Sequence, residues 1–434
     1  LLALFGLGTA LAAEVSIPHE RYVLDNGLTV VLHEDHSLPQ VVVNIWYEVG
    51  AKDERPGRTG FAHLFEHLMF MGTSRLPGSG FDDLMEAHGG WNNAWTSEDA
   101  TDYYDAGPAE LLPTLLWMEA DRMDGLAGAM TAEKVDKQRD VVRNERRQSY
   151  EDSPYGVMWL ALPRVLFPEG HPYAHTVIGS HEDLEAAGLD DVVSFFQTWY
   201  TPDNASLVIA GDFESAAVKP LVAQLFGALP RGPGVERIEA PPVDRPQVPL
   251  TELQDDVQTP RSWMFWHSPP ALQDGDAEHD LIAEIMGGGR ASRLYQRLVV
   301  EEGLATDVGC SQWSQLLGSV FAVSLTPAEG VELSAIEAIA QEELERLAAE
   351  GPTDDELARA RNGYQYGFLE QLESLHARAS MLNRYLSLTG ESDHVAADLA
   401  RYQNADSAAI SRHASRLSAD RRAIVRVLPE PEEQ

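Results

Sequence analysis

A single cysteine, Cys310, stands among the 434 residues, so no disulfide can form within the chain. With no nucleophile signature around it, a lone cysteine reads as a small core residue. Basic residues are scarce: 32 Lys and Arg face 69 Asp and Glu, for a formal charge of −37. That balance argues against nucleic-acid binding, which needs a basic footprint. It keeps the chain soluble and can draw basic peptides towards a cleft; a solvated acidic surface suited to salt accounts for it equally well. Arg far outnumbers Lys, which is compositional bias. Long apolar runs are missing as well. Leu1 to Ala13 is apolar but too short to span a bilayer, and no later segment is long enough. It ends in Ala10-Leu11-Ala12-Ala13 before Glu14, which reads as the remnant of a secretory signal peptide and implies a periplasmic or secreted protein. Gly287-Gly288-Gly289 has no Gly-Lys-Ser/Thr after it, so a phosphate loop is excluded.

A chain of 434 residues is too long for one typical core. Asp25-Asn26-Gly27 between apolar runs predicts a hairpin. A strand follows over 40–49, a helix from near Thr59 to Gly72, a short helix over 81–88 ending at His88, and strands over 92–96 and 101–105. Helical periodicity covers 109–123, 131–150, 157–166 and 190–200, and 205–210 reads as a buried strand. Residues 230–249 are rich in Pro, Gly and charge and read as a linker. The second half repeats the plan, though hardly the sequence: a strand over 262–267, helices over 277–300, strands over 305–312 and 319–325, long helices over 331–413 and a closing strand over 423–428. The division is therefore 1–13 leader, 14–229 first domain, 230–249 linker and 250–434 second domain.

The chemistry concentrates in His63-Leu64-Phe65-Glu66-His67. Positions i, i+3 and i+4 of a helix share a face, so both imidazoles and the carboxylate point one way. The rest of that helix (Phe61, Ala62, Leu64, Phe65, Leu68, Met69, Phe70 and Met71) is apolar nearly all round and predicts burial. Buried imidazoles and carboxylates need partners or a metal. H-x-x-E-H is the inverted zinc-peptidase signature, supplying two zinc ligands and a general base. A catalytic zinc takes three protein ligands and keeps one position open. Glu145 is the candidate third ligand: it follows Val141 and Val142 on the apolar stripe of the helix over 131–150. Its neighbours Arg143, Arg146 and Arg147 offer an ion pair instead, and spacing alone leaves both open. His171 and His175 are four apart, but Pro172 between them argues for a loop.

His63 to His67 followed by Val141-Val142-Arg143-Asn144-Glu145-Arg146-Arg147 resembles the pitrilysin-type zinc peptidases, family M16, and the chain length resembles their short, processing-peptidase branch. Further matching stretches are Gly89 to Thr96, His171-Pro172-Tyr173, Trp199 to Asn204, Gly287 to Gly289 and Ser292-Arg293-Leu294-Tyr295. The resemblance implies an α+β chain of two homologous α/β domains, each an antiparallel-rich sheet covered by helices, the second without zinc ligands. It implies one Zn2+ per chain on His63, His67 and Glu145, with Glu66 taking a proton from the metal-activated water as the peptide carbonyl is attacked. It also implies that Asn93, Ala94, Trp95 and Thr96 lie on a sheet edge, where a peptide substrate adds as a strand.

Two departures stand out. Many relatives carry a second acid two helical turns before the third ligand; here that place holds Gln138, which cannot take a proton. Active single-chain relatives carry an Arg and, seven residues later, a Tyr after the Ser-Arg-Leu stretch; here those places hold Val299 and Thr306. The expectation is a zinc endopeptidase acting on peptides or unfolded segments in a closed chamber, the zinc-carrying subunit of a heterodimer whose homologous partner supplies Arg and Tyr. An active homodimer and a non-catalytic peptide-binding scaffold are the alternatives, the intact motif favouring an enzyme.

Overall fold

Asn26 and Gly27 turn the chain between β1 (Glu20–Val23) and β2 (Thr29–Glu34), which pair antiparallel. Gly27 sits at φ 97°, a conformation other residues resist, and the Asn26 amide ties the turn to the carbonyls of Phe226 and Leu229 at 2.8 and 3.1 Å. This computed structural model describes residues 15–431; the leader expected over Leu1–Ala13 lies outside them. β3 (Gln40–Tyr47), β4 (Trp91–Thr96), β5 (Thr101–Pro108) and β6 (Ala205–Gly211) complete a six-stranded sheet in the order β1-β2-β6-β3-β5-β4. Only β2 and β6 run parallel. The second half forms a five-stranded sheet from β7 (Leu250–Asp255), β8 (Arg261–Ser268), β9 (Ala305–Trp313), β10 (Ser319–Pro327) and β11 (Ala423–Pro429), in the order β7-β11-β8-β10-β9. Only β7 and β11 run parallel there. Leaving out β1, both sheets read first, fifth, second, fourth, third, with the parallel pair in the same place. The two halves are α/β domains of one topology.

The helices of the first half are α1 (Phe61–Leu68), α2 (Gly80–Ala87), α3 (Leu112–Ala129), α4 (Ala132–Arg146), α5 (Gly156–Leu166), α6 (His181–Glu185), α7 (Leu189–Trp199) and α8 (Ser215–Phe226). Those of the second are α9 (Asp276–Gly287), α10 (Leu333–Glu350), α11 (Asp354–Gln371), α12 (Leu375–Thr389), α13 (Val395–Asn404) and α14 (Ser407–Ala414). The sequence reading missed β7, α6 and α8: β7 has the polar sequence Leu-Thr-Glu-Leu-Gln-Asp and is mostly uncovered, so it lacks an apolar pattern. It also ran the metal-motif helix on to Gly72, whereas α1 ends at Leu68 and Gly72 turns the chain at φ 74°.

The central strands of each sheet are buried on both faces. On one face of the first sheet, Val30, Leu32, Val43, Ile45 and Ile209 pack under α1, α3, α7 and α8. The alternate residues Val31, Val42, Val208 and Ala210 pack on the opposite face against Leu375, Ala379 and Leu382 of α12, a helix of the second half. The second sheet mirrors this. Met264, Trp266, Phe321 and Val323 face α9, α10 and α14, while Trp263, Phe265, Val425 and Val427 face Met158, Leu162 and Val165 of α5, a helix of the first half. α5 and α12 hold equivalent places in the two halves, so each half covers its partner's sheet. Residues 230–249 contain no helix or strand. We propose the division at 230–249 as one of the chain; the cores interlock across it.

Asn383 of α12 anchors the exchange. It is fully buried, its Nδ2 donates to Asn44 Oδ1 at 2.6 Å and Asn44 O at 3.2 Å, and its Oδ1 accepts from Ser206 Oγ at 2.7 Å. Buried polar groups stranded without partners each cost about 1–3 kcal/mol. Asn383→Ala is therefore expected to lower unfolding stability by about 2–4 kcal/mol, read as a drop in the urea midpoint at unchanged slope. A shift within the scatter of wild-type curves would show that this network does not hold the halves together.

Candidate metal centre and its edge strand

Glu54 sets the start of α1. Its side chain is fully buried and its carboxylate accepts from the backbone amides of Gly60 and Ala62, both at 2.8 Å. A carboxylate there satisfies first-turn donors and complements the helix dipole. Burial holds the Glu54 carboxyl well above the usual range, against those amide bonds. Gly60, at φ 88°, lets the chain enter the helix without a clash: a Cβ there would lie 2.8 Å from the Ile178 carbonyl oxygen. The apolar residues Phe61, Leu64, Phe65 and Leu68 then seat α1 on the first sheet. His63, Glu66 and His67 are left facing α4 and β4.

The structure brings Glu145 to that face. Its Oε1 lies 3.7 Å from His63 Nε2 and its Oε2 lies 3.2 Å from His67 Nε2. The three donor atoms fall within 4.8 Å of one another. Three ligands of a tetrahedral zinc with bonds of about 2.0–2.1 Å are separated by about 3.3 Å, so these side chains fit a zinc ion with small rotamer adjustments. The arginine alternative fails: Arg143 points to His181 and Glu185, Arg146 to Glu151 and the Gly179 carbonyl, and Arg147 to Asn144. The stripe is also narrower than its sequence suggests. Val135 and Val142 are buried, but Val141 is 41% exposed. Gln138 is buried with its Nε2 2.6 Å from Met71 Sδ, turned into the core below the histidines.

Electrostatics suit a cation. Burial lowers the His63 pKa to about 4, with Glu145 opposing, so this imidazole is neutral at neutral pH and keeps a lone pair for a metal. The hydrogen bond from His67 and the nearby His63 hold the Glu145 carboxyl below its ordinary range, against burial. Burial raises Glu66, and the Thr96 hydroxyl, donating to Glu66 Oε2 at 2.6 Å, opposes that rise. A half-buried carboxylate with a raised pKa beside this triangle is suited to exchange protons.

β4 pairs only with β5 and is the sheet edge next to α1, so the backbone of Asn93, Ala94, Trp95 and Thr96 has one free side. Sequence reasoning assigned Thr96 to substrate and missed its contact with Glu66; nothing in the local pattern marks it. His171 and His175 lie in a loop away from the triangle, and His175 Nδ1 approaches the Glu54 carboxylate at 3.6 Å. His88 follows the end of α2, its ring bonded to the Leu84 carbonyl at 2.9 Å. Cys310 packs partly buried against the second core, and burial pushes its thiol up. Val299 is half-buried against that core, and Thr306 is exposed on β9. One other group among the described residues brings metal-ligand types together, Asp274, Glu278 and His413; there Arg412 Nη2 lies 3.4 Å from His413 Nε2 and puts a cation where a metal would compete.

A triangle of two histidines and a glutamate, with a further glutamate beside it at the open edge of a two-domain α/β fold, is the arrangement of a metallopeptidase. The signature described as Insulinase (Peptidase family M16) matches residues 29–168, and that described as Peptidase M16 inactive domain matches residues 187–364. The chain belongs to peptidase family M16. It is 28% identical over 392 residues to the zinc protease PqqE of Helicobacter pylori, covering 88% of this chain and 86% of that one. The crystal structure of a protease from Helicobacter pylori superposes with a TM-score of 0.87 at 25% identity, over 96% of this chain and 100% of that chain. The periplasmic protease PqqL from Escherichia coli shares the fold at a TM-score of 0.76 and 18% identity, 95% of this chain matching 48% of that one.

Proposed function

We propose that this protein is a zinc-dependent endopeptidase that hydrolyses peptides or unfolded protein segments, with one zinc per chain held by His63, His67 and Glu145. The observation that carries the reading is the convergence of these three side chains, none diverted to another ion pair, beside a Glu66 carboxylate aimed by Thr96 at an open strand edge. When bound, zinc supplies Lewis acidity to a water and a peptide carbonyl. Glu66 accepts the proton of the attacking water and returns it to the leaving amine. Thr96 keeps the carboxylate oriented for both transfers. The free edge of β4 binds the substrate backbone as an added strand, with little demand on its sequence.

The reading extends to assembly. The chain is the zinc-carrying subunit of a heterodimer that closes a chamber around its substrate, and a homologous partner supplies the Arg and Tyr that Val299 and Thr306 replace. The nearest arginine, Arg297, does not fill the gap: it is held by Glu302, Glu342 and Glu343 at 3.0, 2.9 and 2.5 Å. The apolar leader supports a periplasmic or secreted location. Among the described residues no helix is long and apolar enough to cross a membrane.

The test is metal content together with cleavage of an unstructured peptide. Chelation is expected to abolish cleavage and zinc to restore it. Glu145→Gln removes an anionic ligand and is expected to lower zinc affinity by at least the roughly 10–100-fold that loss of a supporting outer partner costs. Gln138→Ala, a buried amide away from the triangle, is expected to leave zinc content near one per chain. Equal zinc in wild type and Glu145→Gln would remove Glu145 from the ligand set.

A further inference from the structure

The edge strand β4 has two faces, and the metal uses one. Thr96 meets Glu66 and Ala94 packs on the α1 side. Trp91, Asn93 and Trp95 point the other way, towards α12. Trp95 pairs with Asp102 and lies edge-on to Trp46 with ring centres 4.9 Å apart; Trp91 lies 6.0 Å from His376 of α12. Between this face and α12 opens a cavity of about 520 Å3, lined by Trp46, Trp95, Leu316, His376, Met381 and Leu388.

A peptide added to β4 must keep the alternation of the sheet, and residues paired across strands share a face. The substrate residue opposite Trp95 therefore projects towards α12, into this cavity, and its two neighbours project towards the metal. We propose that the cavity is a specificity subsite that selects an aromatic side chain at that position of the substrate. The proposal rests on the peptidase reading and deepens it.

The lining decides the chemistry. Two indoles and an imidazole present edges and faces that suit an aromatic ring. Trp46 is 7% exposed, and its indole N–H has no acceptor among the described residues. That N–H is covered by its surroundings, so the lining selects the aromatic ring itself, Phe as well as Tyr. Basic side chains meet one cation and one carboxylate that is already engaged. The lining carboxylate of Asp99 already accepts from the Tyr173 hydroxyl and the Leu316 amide at 2.5 and 2.9 Å, while Arg384, without an ion-pair partner among the described residues, repels them.

The experiment uses a set of quenched peptides identical except at one residue, carrying Tyr, Phe, Leu, Ala or Lys there. Wild type, with its partner if the partner is required, is expected to prefer Tyr and Phe over Ala by about 10–100-fold in kcat/KM, with Lys last. Ser380 of α12 lines the cavity, half-buried, with its hydroxyl in a hydrogen bond with His376 Nε2 at 3.3 Å. Ser380→Trp fills the space and is expected to collapse the Tyr-to-Ala ratio to within about twofold of unity. Leu316→Ala, on a surface loop, is a milder second variant and should reduce the ratio severalfold. Affinities of the same peptides for Glu66→Gln, measured by fluorescence anisotropy, should follow the same order without turnover. An even wild-type profile, equal binding of the Tyr and Ala peptides, or a preference that survives Ser380→Trp overturns the subsite. Failure of the peptidase reading looks different: no peptide is cleaved with zinc present, while the Tyr peptide still binds Glu66→Gln more tightly than the Ala peptide.

Discussion

Glu66→Gln is expected to keep the fold and the zinc and to lose at least about 10²–10⁴ in turnover. The amide is nearly the same size as the carboxylate and can still accept a hydrogen bond from the Thr96 hydroxyl, which Glu66 Oε2 holds at 2.6 Å. It cannot take a proton from water. Glu66 is not among the three converging ligand side chains, so zinc content should remain that of wild type. When a base acts as part of a unit, its removal costs more than a single contact, and the loss falls on kcat rather than on KM. The measurement is kcat on one peptide beside zinc per chain, in a preparation free of contaminating protease. Near-wild-type turnover would remove Glu66 from the mechanism; lost turnover with lost zinc would make it structural.

Mixing the chain with a homologous partner that carries Arg and Tyr is expected to raise kcat/KM by about 10²–10³ over the chain alone. A peptide carbonyl gathering negative charge needs donors aimed at it, and loss of one donor commonly costs that much. The first half supplies His63, Glu66, His67 and Glu145. The second half offers half-buried Val299, exposed Thr306 and an Arg297 locked among three carboxylates. A partner's second half facing the metal across the chamber would complete the set. A chain that forms a homodimer with full activity, and gains nothing from the partner, defeats the proposal.

The metal motif was legible because helical spacing is a local property. Residues 63, 66 and 67 share a face whatever surrounds them, and the apolar remainder of the helix announced its burial. The hairpin at Asn26-Gly27 was legible for the same reason. Helix ends were read less well. α1 stops at Leu68, short of Gly72, and its start is capped by Glu54, a carboxylate outside the helix that no local signal connects to it. β7 went unseen because an exposed polar strand has no apolar alternation to reveal it. The repeated plan was visible as an order of elements, but the matching strand order of the two sheets emerges only from pairing.

By itself the sequence determined that His63, Glu66 and His67 share one face of α1, that no disulfide forms within the chain and that the charge is strongly acidic; the edge position of Asn93 to Thr96 was implied by the family resemblance. Tertiary structure decided the rest. Glu145 had two possible sets of partners, and only the packing of α4 beside α1 turns it to His63 and His67 while its neighbouring arginines find other acceptors. Thr96 reaches Glu66 across 30 residues because β4 is laid against α1. The exchange of α5 and α12 is likewise invisible to periodicity, since a strand buried on both faces does not say which helix covers which face. Local pattern specifies which side chains share a surface. Which surfaces meet is settled by the two sheets, each needing a second apolar cover that its own half does not provide.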